Sequence, residues 1–320
     1  MNIVKNQHIL VLGGSGFIGR AVISALQNKG CRITAMVRQS PVADAAHSQN
    51  DAGPVSGERV EIITGDIRTF NWSRLEDDLP DTIIHLARIP GRRRLSRWLA
   101  GLRGKAASRR LVRWLGSLSR PPHLVFVSGT LVYGDRGKET IDETASLQPI
   151  AFQRDYIKAE TPFLDQVGKE IPVSIVRPPW VIGGGSWFRQ FYYNSAKNGT
   201  ITQYGKGNNV MSLIHVDDCA GQICSVAFNG DSGRIYNLCS CPPILHSEFI
   251  QKCADMLNAV IEVRSDKELL NKYGRALYEA LTFSLDVTSC EPLVRDYPNR
   301  FPDANAAIAG AVAECRRKSS

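Results

Sequence analysis

The stretch from His8 to Gly19, HILVLGGSGFIG, decides the fold of this chain. An apolar run of strand length leads into three glycines spaced three apart, and a helical pattern of apolar residues follows. Such an order suits a dinucleotide: the first glycine permits a tight turn, the second lets backbone approach the pyrophosphate, and the third lets helix pack on strand. Phosphates then lie at the helix N-terminus, where free N–H groups favour negative charge. The alternative is a purely structural glycine turn. The residues predicted to contact the dinucleotide are Gly13, Ser15, Gly16, Phe17, Ile18 and Gly19.

The composition is that of a globular protein with one large or two coupled domains, with 320 residues, 43% hydrophobic and 22% charged. No run of about 18 apolar residues occurs, and the start lacks a basic segment followed by an apolar one. We therefore expect a cytoplasmic protein without a membrane span. The eight cysteines are scattered, and Cys239-Ser240-Cys241 with His246 is the nearest approach to a metal cluster. We expect the cysteines to be reduced and mostly buried, in preference to binding a metal.

The net charge of +8 is concentrated in one region. Between Asp81 and Asp135 the chain has no acidic residue and eleven basic ones. We interpret the arginines chiefly as solvent-facing, with a dedicated anion-binding face as the alternative. The basic residues are Arg88, Arg92, Arg93, Arg94, Arg97, Arg103, Lys105, Arg109, Arg110, Arg113 and Arg120.

Residues 92–119 of this basic region carry two apolar stripes at helical spacing, with Gly104 between them. The spacing i, i+3, i+4, i+7 predicts two short amphipathic helices that cover the sheet. The stripes are Leu95, Trp98, Leu99, Leu102 and Leu111, Trp114, Leu115, Leu118.

Short apolar runs alternate with helical stretches along the chain, which predicts an α/β fold with a doubly wound parallel (Rossmann) sheet. The predicted strands are 33–37, 60–63, 82–86, 124–127, 173–176 and a late one at 235–238. Residues 41–58 read as a mobile loop.

Six motifs in this order resemble the short-chain dehydrogenase/reductase superfamily, in its extended epimerase/dehydratase-like branch. The resemblance implies a Rossmann-type N-terminal domain, with Asp66 near the adenine and with Leu86 and Ala87 in the cofactor groove, and a smaller C-terminal substrate lobe. We assign residues 1–180 to the NADP(H)-binding Rossmann domain, with 214–239 returning to it. The lobe takes 181–213 and 240–320. Ile67, Arg88 and Pro178 are further candidate cofactor contacts. The motifs are Gly13–Gly19, Gly65-Asp66, Ile84–Ala87, Val127-Ser128 with Val132–Gly134, Arg177-Pro178 and Ile214–Asp218.

Arg38, at the end of the second predicted strand, bears on which cofactor is bound. An acidic residue there accepts hydrogen bonds from the ribose hydroxyls of NAD, whereas an arginine can pair with the 2′-phosphate of NADP. Gln39 and Ser40 can add hydrogen bonds. The sequence therefore predicts NADP(H) in preference to NAD(H).

The resemblance also implies a tyrosine and a lysine in the spacing Y-x-x-x-K between the fifth and sixth strands, and this pair is missing there. With Glu160 at the family's glutamate position, Phe152 stands at the tyrosine position and Tyr156 at the lysine position. Taking Lys158 as the lysine instead places Arg154 at the tyrosine position. A literal match at 193–197 belongs to the lobe and is interpreted as coincidence.

The candidate catalytic residues are therefore Ser128, Thr130, Tyr156 and Lys158. The two hydroxyls flank Gly129, which stands where the family often has Ser or Thr. Tyr156 and Lys158 point about 200° apart around a helix and cannot form the usual pair. Tyr133 is a further hydroxyl, and the resemblance implies a chiefly structural role for it.

Three functions remain open from the sequence. One is an atypical NADP(H)-dependent reductase of a small carbonyl or imine-like substrate in a biosynthetic pathway. A second is a cofactor-binding protein without redox turnover, and the third is a nucleotide-sugar epimerase or dehydratase. We expect a small-molecule substrate, anionic or carrier-linked if Arg92, Arg93 and Arg94 hold it, and neither nucleic acid nor membrane as partner. The protein is expected to be a monomer or a dimer.

Two features of the C-terminal part are interpreted chiefly as structural. The aromatic segment Trp180, Trp187, Phe188, Phe191, Tyr192 and Tyr193 is interpreted as the core of the lobe, with an aromatic substrate pocket as the alternative. Residues 215–218 are expected to tie the lobe to the Rossmann domain, with Asp217 capping a helix.

Overall fold

The structure is a computed structural model that describes residues 6–38, 60–91 and 94–318. Its centre is a seven-stranded sheet in which every neighbouring pair is parallel. The predicted α/β fold with a parallel Rossmann-like sheet is confirmed. The strands of this sheet are β1 (His8–Leu12), β2 (Arg32–Val37), β3 (Val60–Thr64), β4 (Thr82–His85), β5 (His123–Val127), β7 (Val173–Arg177) and β12 (Ile235–Asn237).

The strand order is β12-β7-β5-β4-β1-β2-β3. The order reverses between β1 and β4, so the loops that follow these two strands diverge and leave a crevice at their carboxyl ends. In open parallel sheets ligands bind at this switch point. The glycine turn after β1 and residues 86–91 after β4 therefore border the same crevice.

Helices cover both faces of the sheet. On one face, Val22, Ile23 and Leu26 of α1 pack with Ile223 and Val226 of α5. The other face is covered by α2 and α3, because apolar side chains that recur at helical spacing in each helix pack against the sheet. The helices are α1 (Phe17–Asn28), α2 (Arg94–Ser117), α3 (Ile157–Leu164), α4 (Asn194–Ala196), α5 (Val216–Asn229), α6 (His246–Leu257), α7 (Asp266–Tyr273), α8 (Arg275–Thr282), α9 (Pro292–Arg295) and α10 (Ala304–Arg317).

A second hydrophobic cluster forms the C-terminal lobe around Phe188, Tyr192, Phe249 and Ile308. Four two-stranded pairs lie outside the central sheet, with strands of two to five residues. They are β6 (Thr140–Ile141), β8 (Trp180–Ile182), β9 (Thr200–Tyr204), β10 (Val210–Met211), β11 (Leu213–His215), β13 (Ile244–Leu245), β14 (Val260–Arg264) and β15 (Asp286–Val287).

The prediction of two short helices in 92–119 is wrong, since α2 runs unbroken from Arg94 to Ser117. Gly104 does not end a helix. A side chain at Gly104 would lie 2.9 Å from Ala159 Cβ, and one at Gly101 would collide with the backbone of Asp155. The two glycines are therefore contact points that let α2 and α3 approach closely.

The expectation that both apolar stripes of 92–119 cover the sheet is also only half right. Leu111, Trp114 and Leu115 are buried against it. Leu95, Trp98, Leu99 and Leu102 are exposed instead. None of the helices in the described ranges is both long enough and apolar enough to cross a bilayer.

Candidate cofactor and active site

The glycine turn holds the first part of the site. Gly13 has φ +86°, and a Cβ there would lie 2.8 Å from the backbone nitrogen of Ala87 in the loop after β4. Its N–H donates to the Met36 carbonyl over 3.1 Å, which fixes the turn to the end of β2. Only glycine permits this left-handed conformation so close to a neighbouring loop. The turn therefore leaves backbone, not side chains, facing the crevice.

The first turn of α1 is suited to bind an anion. The residue before it, Gly16, provides no side-chain cap, and the first turn contains no acidic residue. Its N–H groups, which include those of Phe17 and Ile18, have no helical acceptor, and the helix dipole adds partial positive charge. A pyrophosphate supplies the missing acceptors. The cradle at this site therefore fits a dinucleotide.

A groove with an empty volume of about 520 Å³ opens beside this turn. It brings together the predicted cofactor contacts Ile67, Leu86, Ala87 and Arg88 with two of the candidate catalytic residues, Ser128 and Tyr156. Residues more than 60 positions apart in the chain meet here because their segments all lie at the carboxyl edge of the parallel sheet.

Asp66, expected near the adenine, is held by an arginine that the sequence analysis missed. Arg68 Nε lies 2.9 Å from one carboxylate oxygen of Asp66 and 3.0 Å from the other. This hydrogen bonding, aided by the charges of Arg68 and Arg38, lowers the pKa of Asp66. The only signal for this pair in the sequence is that Asp66 and Arg68 are two positions apart.

Arg38 lies exposed directly after β2, and it forms no salt bridge with the residues that the structure describes. Its positive charge helps to lower the pKa of Asp66, so Arg38 lies at the same end of the site as Asp66. Gln39 and Ser40 lie outside the described residues. An exposed guanidinium without a carboxylate partner is available to pair with a phosphate.

A cation–aromatic cluster forms the other end of the groove. The guanidinium carbon of Arg88 lies 4.5 Å from the ring centre of Tyr156 and 5.9 Å from that of Phe152. The two rings are 5.6 Å apart, and the Tyr156 hydroxyl accepts the Gly91 N–H over 3.2 Å. Arg88 lines the groove with more than a third of its surface exposed, and the protein packed around it lowers the pKa of its guanidinium, which remains charged. No carboxylate of the described chain pairs with Arg88.

The other catalytic candidates are placed less favourably. Ser128 Oγ donates to Glu160, and Thr130 is buried with only 2% of its surface exposed. Lys158 Nζ lies 3.2 Å from Asp155 and 5.7 Å from the ring centre of Trp98, away from Tyr156. Tyr156 is therefore the candidate whose hydroxyl lies at the groove beside a cation.

A buried network lies beneath the groove. Arg177 Nη2 donates to Glu160 over 2.7 Å, and Arg177 Nη1 donates to the Tyr133 hydroxyl over 2.8 Å. That hydroxyl donates in turn to Asn237 Oδ1 over 2.8 Å. Because Tyr133 is fully buried and bonded on both sides, its hydroxyl has no path to a substrate. The network fixes the ends of β7 and β12 against α3.

Comparison with known proteins agrees with this geometry. The NAD dependent epimerase/dehydratase family matches residues 9–239. The chain belongs to this family. The match begins in β1 and ends just after β12, so it covers the parallel sheet and the groove.

Individual family relatives are distant. An uncharacterised protein of Saccharomyces cerevisiae is 22% identical over 267 residues, which is 79% of this chain and 81% of the yeast protein. The human epimerase family protein SDR39U1 (isoform 2), solved with NADPH, superposes with a TM-score of 0.76 at 20% identity, covering 96% of this chain and 99% of that one. The dTDP-glucose 4,6-dehydratase of Bacillus anthracis, solved with NAD, gives 0.75 at 18% identity and 97% of both chains. These likenesses establish a shared fold.

With Glu160 at the family's glutamate position, Phe152 and Tyr156 stand at the tyrosine and lysine positions, and with Lys158 as the lysine, Arg154 stands at the tyrosine position. The structure places the Arg88 guanidinium over both rings. The literal match at 193–197 lies in the lobe, where Tyr193 is buried in the core and Lys197 Nζ lies 5.1 Å from its ring centre. Sequence spacing could not reveal Arg88, since it is 68 residues from Tyr156 in the chain.

His85 is a titratable group of the groove that sequence analysis treated only as part of a motif. Burial lowers its pKa to about 4, so the ring is neutral at physiological pH. Its Nδ1 has no hydrogen-bond partner among the described residues. A neutral ring of this kind is a poor proton donor near neutral pH.

The aromatic segment of the lobe divides between core and groove. Phe188, Tyr192 and Tyr193 are buried in the lobe core. Trp187 is half-buried, and its ring centre lies 5.5 Å from that of Phe152. Trp187 thus packs on the aromatic ring that neighbours Tyr156, whereas Phe188, Tyr192 and Tyr193 hold the lobe together.

Residues 215–218 connect the lobe as expected, but Asp217 is not the cap. The N-cap of α5 is His215, whose Nδ1 accepts the Asp217 N–H over 3.2 Å. Asp218 accepts the N–H groups of Arg300 and Phe301 over 2.8 and 2.9 Å. The prediction of Asp217 as the cap is wrong. The imidazole of His215 accepts the backbone hydrogen bond that a carboxylate was expected to accept.

Within the described ranges, two groups of side chains have a composition that could suit a metal. His246 Nε2 lies 3.2 Å from the Tyr192 hydroxyl, and Cys241 Sγ lies 3.4 Å from the Phe301 carbonyl. His215, Asp217 and Glu314 have metal-like spacing. Because His215 Nδ1 accepts an N–H, its Nε2 carries the proton and faces Glu314 Oε1 at 3.5 Å. Nε2 forms no hydrogen bond at this distance, and a protonated ring nitrogen has no lone pair to offer a metal.

Arg38→Ala is expected to weaken NADPH binding about 10- to 100-fold, since a hydrogen bond to a charged group contributes roughly 1.5–3 kcal/mol. NADH affinity should stay within about twofold, because the arginine is assigned to the 2′-phosphate. Calorimetric titration of both cofactors measures this. Arg74→Ala, an exposed arginine near Phe70, is the matched control. Equal losses for NADPH and NADH would place Arg38 outside phosphate recognition.

Proposed function

We propose that the protein is an NADP(H)-dependent reductase of a small carbonyl or imine-like substrate, with Tyr156 as proton donor and Arg88 as the adjacent cation. The observation that carries this proposal is the stack of Arg88 on Tyr156 inside the groove. Family membership supplies the dinucleotide-binding fold. The choice of reduction over other chemistry is our inference from the residues of this chain.

The Arg88–Tyr156 pair can perform the acid function of the missing tyrosine and lysine. A phenol that gives its proton to a substrate oxygen or nitrogen becomes a phenolate, and a guanidinium next to the ring stabilises that anion. In the usual pair the cation comes from the same helix, four residues on. Here it comes from the loop after β4, so the two groups converge by the fold and not by helical spacing.

The rest of the groove would hold and orient the reactants. Bound NADPH would supply the hydride. Residues 13–19 fit its pyrophosphate, and Leu86 and Ala87 provide the apolar wall. Phe152 and Trp187 form an aromatic surface beside Tyr156 that excludes water from an apolar substrate.

The preference for NADP(H) is supported by Arg38 and not by the relatives, one of which is solved with NADPH and another with NAD. An anionic or carrier-linked substrate also forms part of the proposal. Arg88 offers a charge that no carboxylate of the described residues pairs with, and Arg94 begins α2. Arg92 and Arg93, which were expected to share this role, lie outside the described residues.

Tyr156→Phe is expected to lower kcat for NADPH-dependent reduction about 100-fold or more, because positioned acid catalysis contributes roughly 10²–10⁴-fold. The substitution keeps the ring that packs on Phe152 and Arg88, so NADPH affinity should remain within twofold of its starting value. Arg88→Met should lower kcat comparably while keeping much of the side-chain volume. The measurement is NADPH oxidation followed at 340 nm against a panel of aldehydes, ketones and imines, with separate titration of NADPH.

Tyr273→Phe is the matched control for this test. It removes a hydroxyl from a half-exposed tyrosine of the lobe that contacts Phe191 and Tyr204. Its turnover should equal that of the unsubstituted protein. Full activity of Tyr156→Phe would contradict the proposed role of the phenol.

A second candidate function is dinucleotide binding without redox turnover. The observation that favours it is that the Tyr156 and Ser128 hydroxyls are both already hydrogen-bonded, to Gly91 and Glu160. Tight NADPH binding with no oxidation across the panel would support this function. A nucleotide-sugar epimerase or dehydratase has the weakest support here, since the usual tyrosine and lysine positions hold Phe152 and Tyr156.

A further inference from the structure

An apolar stripe on α2 faces solvent. Leu95 is 68% exposed, Trp98 46%, Leu99 36% and Leu102 40%. Single exposed apolar residues are ordinary, but four large ones in one helical stripe form a continuous patch. We call these four residues the α2 patch.

The α2 patch is exposed because the opposite side of the helix is fully occupied. Gly101 and Gly104 contact α3, and Leu111, Trp114 and Leu115 pack into the core below the sheet. The helix therefore cannot rotate to bury the patch without losing these contacts.

Basic residues surround and continue the patch. With about 100° between successive residues, Arg109 and Arg113 lie on the same side of α2 as Leu95, while Arg103 and Lys105 lie at its two edges. Arg103, Arg109 and Arg113 are exposed. Residues 82–134 contain no acidic side chain to balance them. The exposed side of α2 is thus apolar at its start and basic along its edges and end.

We propose that this side of α2 is a docking surface for a bilayer rich in anionic phospholipid, with the helix lying in the plane of the interface. Leucine and tryptophan side chains partition into the boundary between headgroups and acyl chains, and arginines pair with lipid phosphates. The pattern is that of an interfacial helix and not a spanning one. It departs from the expectation of no membrane partner.

A second copy of the chain fits the patch less well. Two-fold packing of α2 on itself would bring Arg103, Lys105 and their symmetry copies close together, with no acidic residue in this region to offset the repulsion. A lipid surface needs no shape match and supplies the negative charge.

The same helix also lines the groove. Ala100, Gly104 and Ser108 face the cavity from the side opposite the patch. Docking through the patch would therefore hold the groove within one helix diameter of the bilayer surface.

The experiment is cosedimentation of the full chain with vesicles of phosphatidylcholine alone and of phosphatidylcholine with 30 mol% phosphatidylglycerol. We expect binding to the anionic vesicles only, with a loss at high salt. Leu95→Ala/Trp98→Ala should weaken partitioning on the order of tenfold or more by removing buried apolar area. Arg103→Gln/Arg109→Gln/Arg113→Gln should weaken it on the order of 100-fold, at roughly fivefold per charge.

Val260→Ala/Val263→Ala is the matched control, because these two valines of β14 are 70% and 65% exposed but lie in the lobe. It should partition like the unsubstituted protein. NADPH binding of each variant serves as the test of folding. Equal binding of the Leu95/Trp98 variant and the unsubstituted chain would overturn the proposal. So would a dimer by analytical ultracentrifugation that this variant dissociates and that binds no vesicle, which would assign the patch to a second copy.

Discussion

Gly13→Ala is expected to reduce NADPH affinity about 100-fold or more, since displacing binding groups by about 1 Å has effects of this size. The new Cβ would lie 2.8 Å from the Ala87 nitrogen and 2.9 Å from its Cα, both backbone atoms that cannot rotate away. Either the turn or the loop after β4 must move, and both border the cofactor groove. Calorimetric titration with NADPH measures the loss.

A glycine of the same conformation in open space separates this effect from backbone strain. Gly199 has φ +81°, close to the +86° of Gly13, but a Cβ there meets no atom within 4 Å. Gly199→Ala should lose stability by about 1 kcal/mol from the left-handed conformation and bind NADPH normally. If Gly13→Ala also bound NADPH normally, the turn would not be the pyrophosphate site.

Glu160→Gln is expected to lower the free energy of unfolding by about 3–5 kcal/mol, the usual effect of leaving one charge of a buried pair without its partner. Glu160 and Arg177 are each 1% exposed, and Glu160 also accepts the Ser128 hydroxyl. The substitution keeps the side-chain volume, so the loss reports the charge. Urea unfolding followed by circular dichroism gives the free energy.

Glu262→Gln is the matched control, because Glu262 pairs with Arg264 at the surface, where both side chains are more than 40% exposed. Surface pairs contribute little, so its urea midpoint should not shift. A loss below about 1 kcal/mol for Glu160→Gln would mean that water or another group solvates Arg177, against the buried network described here.

Most of the central sheet was predictable because its inner strands are buried on both faces, whereas the edge strand β3 is partly exposed. Runs such as 8–12 and 173–176 are then almost wholly apolar and end at turn residues, a local signal. The glycine turn was predictable for a related reason, since its constraint is set by residues adjacent in the chain. The family resemblance added the places of Asp66, Leu86 and Ala87.

The continuity of α2 could not be read from the sequence. Gly104 looks like a helix end, and only the approach of Ala159 from α3 explains a glycine inside the helix. The same long-range packing decides which apolar stripe is buried, so periodicity alone placed Leu95 and Trp98 on the wrong side.

Neither the Arg88–Tyr156 contact nor the Arg68–Asp66 ion pair could be predicted from the sequence. A charged residue in a loop shows neither the direction of its side chain nor its partner until the loop is placed. Both contacts lie at the carboxyl ends of strands, where the fold collects distant segments.

Titration of the purified protein with NADPH, NADP⁺, NADH and NAD⁺ by calorimetry tests the central claim most directly. A groove built from the glycine turn, Arg38 and residues 86–88 predicts one site per chain and at least tenfold tighter binding of the phosphorylated pair. Absence of heat with all four nucleotides, from protein that unfolds cooperatively in urea, would contradict it.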